Sequence, residues 1–139
     1  MTDIISQEHR SWNMSRITGK NTKPELRLRS ILHRAGYRFR LHVSSLPGRP
    51  DVVLPKYRTV IFVNGCFWHR HQGCSKCYTP SSRTEFWTAK FEATIARDIK
   101  KSAELRKRGW NVLTVWECEI QESPSSVLDR ITTSVAEAA

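Results

Sequence analysis

The segment Leu46-Pro47-Gly48-Arg49-Pro50-Asp51-Val52-Val53-Leu54-Pro55-Lys56-Tyr57-Arg58-Thr59-Val60-Ile61-Phe62-Val63 decides the architecture. Its opening residues, dense in proline and glycine, read as a turn, and Asp51-Val52-Val53-Leu54 reads as a short strand. Pro55-Lys56-Tyr57-Arg58 is a second turn. Thr59-Val60-Ile61-Phe62-Val63 is the apolar, β-branched run of a central strand covered on both faces. Upstream, Thr22 is placed to cap a helix, with Pro24 in the first turn and Glu25 at the capping-box position. Leu28, Ile31, Leu32 and Ala35 then fall on one helical face, and Gly36 stops the helix. Between helix and turn, Tyr37 to Val43 alternates with period two, which predicts a strand near a sheet edge.

Downstream, Asn64 to Arg83 is loop-like and carries three of the four cysteines. A loop of that length needs a staple. A long helix is predicted from about Glu85 to Arg108, with Phe91, Ile95, Ile99 and Leu105 near one face and Gly109 as its stop. Trp110 to Trp116 follows as a fourth strand, and the crossover helix before it predicts parallel pairing. A last helix begins at Ser123-Pro124 and turns Val127, Leu128, Ile131 and Val135 inward. A short helical stretch around Ser11 to Arg16 is also expected. The order is that of an α/β domain with a central mixed sheet flanked by helices. At 139 residues the chain fits one such domain, residues 21–139, preceded by an arm over residues 1–20.

Charge points to a polyanion. The formal net charge is +10, and it is unevenly spread. From Arg10 to Arg83 there are fifteen lysines and arginines against two acids, Glu25 and Asp51; from Thr84 onward eight basic residues face nine acidic ones. A basic half-chain of this kind suits the phosphates of nucleic acid. No run of about 18 apolar residues, no lipidation signal and no secretory start are present, so a cytoplasmic protein without a membrane partner is expected. In a reducing compartment four cysteines favour metal ligation or burial over disulfides.

Cys66, His71, Cys74 and Cys77 lie within twelve residues, and Cys118 follows the fourth strand. Thiolates and an imidazole suit a structural zinc ion, and one distant ligand would pin the loop to the sheet. Cys66, His71, Cys74 and Cys118 make the preferred set; Cys77 is the alternative to Cys74.

Asp51 opens its strand beside a central strand, where a carboxylate can bind magnesium and so help orient an attacking water. The backbone carbonyl of Val63, at the end of the central strand, offers a second oxygen ligand. Glu25 has two readings of equal weight, catalytic carboxylate and helix cap. His69 is not needed for zinc and is free to act as a base or to bond the scissile phosphate. Phe67 and Trp68 sit between Cys66 and His69 on the stapled loop, where aromatic rings can stack on or wedge between bases.

Four segments carry a resemblance: Ser45-Leu46-Pro47-Gly48-Arg49-Pro50-Asp51, Phe62-Val63-Asn64-Gly65-Cys66-Phe67-Trp68-His69-Arg70-His71, Arg83-Thr84-Glu85-Phe86-Trp87 and Val115-Trp116-Glu117-Cys118. With them the sequence, from about Ser11 to Glu119, closely resembles the very short patch repair (Vsr-type) mismatch endonucleases. The resemblance implies a restriction-endonuclease-like fold with a structural zinc. It also implies strand-specific nicking of double-stranded DNA 5′ to the thymine of a T:G mismatch, the lesion left by deamination of 5-methylcytosine. Under it Asp51 holds magnesium, His69 assists the attack and Glu25 supports the site. Phe67, Trp68 and Trp87 match aromatic residues that wedge into the duplex, and Met14 matches an arm entering from the opposite groove. Lys90 falls where the family places a basic residue near DNA. The implied enzyme is a nucleoid-associated monomer that works beside mismatch-repair proteins.

The sequence departs from the family pattern in places. Val63 stands where a well-known form has threonine and Asn64 where it has histidine, and His71-Gln72-Gly73-Cys74 is one residue longer than the tighter spacing. The alternative to a nuclease is a zinc-stabilised module that binds distorted or mismatched DNA without cutting it.

Overall fold

The computed structural model describes residues 22–138. The expected arm, its helical stretch and Met14 lie outside these residues. The first described helix, α1 (Lys23–Arg34), begins as its sequence dictates: the Thr22 hydroxyl accepts the Glu25 N–H at 3.4 Å. It ends with the Tyr37 N–H on the Leu32 carbonyl at 3.0 Å, the Gly36 N–H on the His33 carbonyl at 3.1 Å, and Gly36 at φ +93°. That is a Schellman ending, in which glycine takes the left-handed position without a Cβ penalty.

Four strands form one sheet in the order β1 (Arg40–Leu41), β2 (Val52–Leu54), β3 (Thr59–Asn64), β4 (Asn111–Trp116). The first two pairings are antiparallel, and β3 pairs with β4 in parallel from Thr59↔Asn111 to Asn64↔Trp116. The parallel pair is bridged by helix α2 (Thr84–Lys107), as a crossover requires. Helices α3 (Glu117–Glu122) and α4 (Pro124–Ala138) complete the chain. Leu28 and Leu32 of α1, Ile120 of α3, and Val127, Ile131 and Val135 of α4 cover one sheet face through Val52, Leu54, Ile61 and Val115. Leu105 of α2 covers the other through Val53, Val60 and Val112. Central strands buried on both faces explain the unbroken apolar runs in β2 and β3.

Three expectations need correction. The predicted strand Tyr37 to Val43 shrinks to Arg40–Leu41. Tyr37 is tied to the end of α1, and His42 turns the chain out of the ladder at φ +46°. In α2, Ile95 and Ile99 do not face inward; they are 40% and 66% exposed. Helix α3 was not foreseen, because six residues carry too little periodicity. Its start is fixed by the Trp116 N–H, which donates to Glu119 Oε1 at 2.9 Å.

Candidate active site

Asp51 lies at the mouth of the β2–β3 hairpin, where its Oδ2 accepts the Val63 N–H at 2.7 Å. Glu25, on the first turn of α1, is only 3% exposed. Between the two carboxylates stands a residue the sequence reading did not single out. His42 Nε2 is 3.0 Å from Glu25 Oε2 and 3.8 Å from Asp51 Oδ1. Arg29, one turn along α1, donates to the same Glu25 oxygen at 3.0 Å. Ligand atoms of Glu25, His42 and Asp51 all lie within 4.8 Å of one another.

A usable signal for His42 existed in the hairpin register. Leu41 pairs with Val52, so the next residue on one strand faces the previous one on the other, and His42 meets Asp51. The His42 N–H accordingly donates to the Asp51 carbonyl at 3.4 Å. A left-handed φ on a residue other than glycine is strained, and the neighbouring bonds hold it there.

Burial pushes the Asp51 carboxyl from 3.8 up to about 7; the Val63 N–H opposes that rise and the negative charge of Glu25 adds to it. The electrostatic influence of His69 opposes the rise as well. Nδ1 of His69 is 2.6 Å from Asp98 Oδ2, a partner the sequence reading missed. A carboxylate at Nδ1 leaves Nε2 as the free nitrogen that can take or give a proton. Glu25, His42 and Asp51 thus form one cluster, and the His69–Asp98 pair acts on it electrostatically.

Beside it, Cys66, His71, Cys74 and Cys118 bring their ligand atoms within 4.8 Å of one another. Nδ1 of His71 is 3.6 Å from Cys66 Sγ and 3.3 Å from Cys118 Sγ. Cys77 is not in the group. The His71 ring stacks on Trp116 at 4.4 Å between centroids, and the Cys66 N–H donates to Glu117 Oε1 at 3.1 Å. Burial pushes the Cys66 thiol up to about 12 and raises Cys118 as well, while backbone N–H bonding at Lys76 lowers Cys74. Three thiols and one imidazole are a donor set that could hold a metal ion.

The stapled loop also organises the aromatic residues. Phe67 is the hub, with ring centroids 5.1 Å from Trp68, 5.8 Å from Trp87, 5.0 Å from Tyr78 and 5.3 Å from Phe91. It is half-buried, so it supports the group as well as belonging to its surface. Trp68 and Trp87, half-buried like Phe67, lie 5.7 Å apart. Arg70 fixes the loop from below, stacking on Phe91 at 3.9 Å and donating to the Tyr78 carbonyl at 2.7 Å. Lys90 is exposed one turn beyond Trp87, its ammonium 5.8 Å from the Phe86 ring.

A family model described as "DNA mismatch endonuclease Vsr" matches residues 2–76. The chain belongs to the Vsr family of DNA mismatch endonucleases. It is 51% identical over 122 residues to the Type II nicking enzyme V.XorIIP of Xanthomonas oryzae pv. oryzae, covering 88% of this chain and 89% of that one. It is 45% identical over 121 residues to the DNA mismatch endonuclease Vsr of Escherichia coli, covering 87% of this chain and 77% of the relative. Among solved structures, the catalytic domain of the homing endonuclease I-Bth0305I superposes with a TM-score of 0.59 at 22% identity, over 85% of this chain and 98% of that one. The fold is therefore restriction-endonuclease-like, as the sequence predicts. This Vsr-family chain is a DNA endonuclease, and among its described residues no helix is long and apolar enough to cross a membrane.

Proposed function

We propose that the chain is a magnesium-dependent nickase that cuts one strand of duplex DNA 5′ to the thymine of a T:G mismatch. The observation that carries the reading is the cleft itself, where Glu25, His42 and Asp51 converge within 4.8 Å and His69 is oriented by Asp98. A carboxyl that burial, helped by the neighbouring Glu25, pushes up to about 7 calls for a cation. The oxygen donors fit magnesium, a hard ion that prefers carboxylates, carbonyls and water. Asp51 and the Val63 carbonyl would hold it. In an extended strand the N–H and C=O of one residue share an edge, so the bond from Val63 N–H to Asp51 turns that carbonyl toward the same carboxylate. Bound magnesium supplies positive charge against the charge that develops on the phosphate.

The chain's own groups do the rest. His69 takes a proton from the attacking water at Nε2, and Asp98 fixes the tautomer and stabilises the imidazolium. Water oxygen bonds to phosphorus, the bond to the 3′ oxygen breaks, that oxygen takes a proton from solvent water, and the products are a 5′-phosphate and a 3′-hydroxyl. Glu25, held by Arg29 and His42, supports Asp51 rather than serving only as a helix cap. Cys66, His71, Cys74 and Cys118 would hold a structural zinc whose role is to fix the loop. Trp68 and Trp87, with Phe67 behind them, are the wedge that enters the duplex at the mispair. Lys90, together with Met14 on the arm, adds further DNA contacts.

The test is purified protein with magnesium on a duplex labelled on each strand and carrying one T:G pair. One nick, 5′ to the thymine, is expected, with little cutting of the matched duplex. A nick undiminished in Asp51→Ala would defeat the assignment. Mismatch-selective binding without any cutting would favour the non-catalytic module.

A further inference from the structure

Helix α2 buries an unexpected stripe. Phe91, Thr94, Asp98, Lys101 and Leu105 recur at steps of three and four residues and share one helix face. Phe91 and Leu105 at its ends are buried, and the three polar residues between them are half-buried. The isoleucines at 95 and 99, which a core-facing helix would turn inward, are the exposed ones. The middle of the helix has its polarity reversed because it packs on His69 and on the turn that carries Asp51. Each end of the stripe has a structural duty, Phe91 against Phe67 and Leu105 against the sheet. Asp98 has its duty at His69. Lys101 has none so far.

Its position is well defined. The Lys101 stem lies across Gly48, so close that a Cβ at that glycine would come within 2.6 Å of Lys101 Cδ and 2.9 Å of Cγ. Gly48 belongs to the turn that delivers Asp51, and it holds φ +76°. Lys101 therefore bridges α2 to the Asp51 turn, one helical turn beyond the residue that orients His69. Among the described residues its ammonium makes no ion pair or hydrogen bond. A cation held by its stem at the rim of an acidic cleft, with no carboxylate of its own, is placed for an external anion.

The geometry points to Lys101 as a phosphate-binding residue of the active site, gripping the backbone of the DNA strand that lies over Asp51. This rests on the nuclease reading of the cleft and names a contact that the Pro-Asp and Cys-His motifs do not supply. The competing account is a lysine whose stem merely packs on Gly48 while its charge stays in water.

Lys101→Met separates the two, because it keeps the packing stem and deletes the charge. Binding to a T:G duplex and to the matched duplex is measured without divalent metal across a salt series. Lys56→Met, at the opposite end of β2, serves as control. We expect Lys101→Met to melt like wild type, to bind both duplexes severalfold more weakly, and to lower the slope of log affinity against log salt by about one. Lys101→Arg retains the slope. A Lys101→Met slope equal to that of wild type, or a fall no larger than that of Lys56→Met, overturns the assignment. Nicking with magnesium is scored separately: a wild type that binds but does not cut defeats the nuclease reading, while the slope still decides Lys101. A wild type that does not bind DNA overturns both.

Discussion

The chain gathers two groups of metal-type ligands, each within 4.8 Å, and they are built on opposite principles. The cysteine and histidine group is soft and closed: Cys66 and Cys118 are buried, His71 is stacked on Trp116, and the ligands come from a loop and from α3. The carboxylate group is hard and open, drawn from α1, the end of β1 and the start of β2, with Asp51 still 20% exposed. The first ties the loop to α3, where it is backed by the Cys66 N–H bond to Glu117 and the His71 stack on Trp116, so losing it is expected to cost structure. The second crowds charge that the fold would rather disperse, so losing it costs activity and can even stabilise. If each holds the ion its donors suit, stability and catalysis fall to different ions.

Removing the soft group gives the largest effect. Stripping zinc with a strong chelator, or replacing Cys118 with alanine, is expected to lower Tm by about 10 °C or more and to expose the 64–83 loop to protease. Cys77→Ala is expected to leave both unchanged. Circular dichroism melts and limited proteolysis read the outcome, and equal losses for Cys118 and Cys77 would dissolve the distinction.

At the hard group, Asp51→Ala should cut the single-turnover nicking rate by about 10³-fold or more with no loss of Tm. The same residue gives a pH signature in metal-free protein. Below 3.8 Asp51 is protonated in both folded and unfolded chains; as pH rises the unfolded chain ionises first, and the folded one keeps its proton to about 7. Stability contributed by that proton is present at low pH and lost through this window. Asp51→Asn should therefore be more stable than wild type at pH 8, by at most about 4 kcal/mol, and the advantage should vanish near pH 4. Magnesium should remove the advantage as well, by stabilising wild type alone. Paired melts at the two pH values decide it.

His42→Ala is expected to raise the magnesium needed for half-maximal nicking about tenfold, as loss of a supporting bond to a ligand cluster does. His42→Gln, which can still reach Glu25 with an N–H, should restore most of it. The smallest expected effect is at Gly48: alanine there meets both φ +76° and the Lys101 stem, and should cost about 1–2 kcal/mol in a denaturant titration.

Legibility in the sequence followed the range of the interactions. Thr22, Glu25 and Gly36 mark α1 because a cap and a Schellman ending are local. Strands β2, β3 and β4 are legible as β-branched runs, and the cysteine and histidine cluster of residues 66–77 by its spacing, which leaves Cys74 and Cys77 as alternatives. Strand β1 was overestimated because periodicity cannot register the turn that His42 makes. In helix α2 periodicity finds the buried Phe91 and Leu105 but not the exposure of Ile95 and Ile99, because Asp98 and Lys101 take the inner positions through contacts distant in sequence. His42 and Asp98 escaped for the same reason. Each meets its partner through sheet register or helix packing across 17 and 29 residues of chain.

The most direct test is strand-resolved cleavage of a T:G duplex by zinc-loaded protein across a magnesium titration. The account predicts no cut without magnesium although the fold is intact, and a single nick 5′ to the thymine as magnesium is added. Cleavage by the zinc-loaded protein with magnesium absent, or no nick at any magnesium concentration, would contradict it.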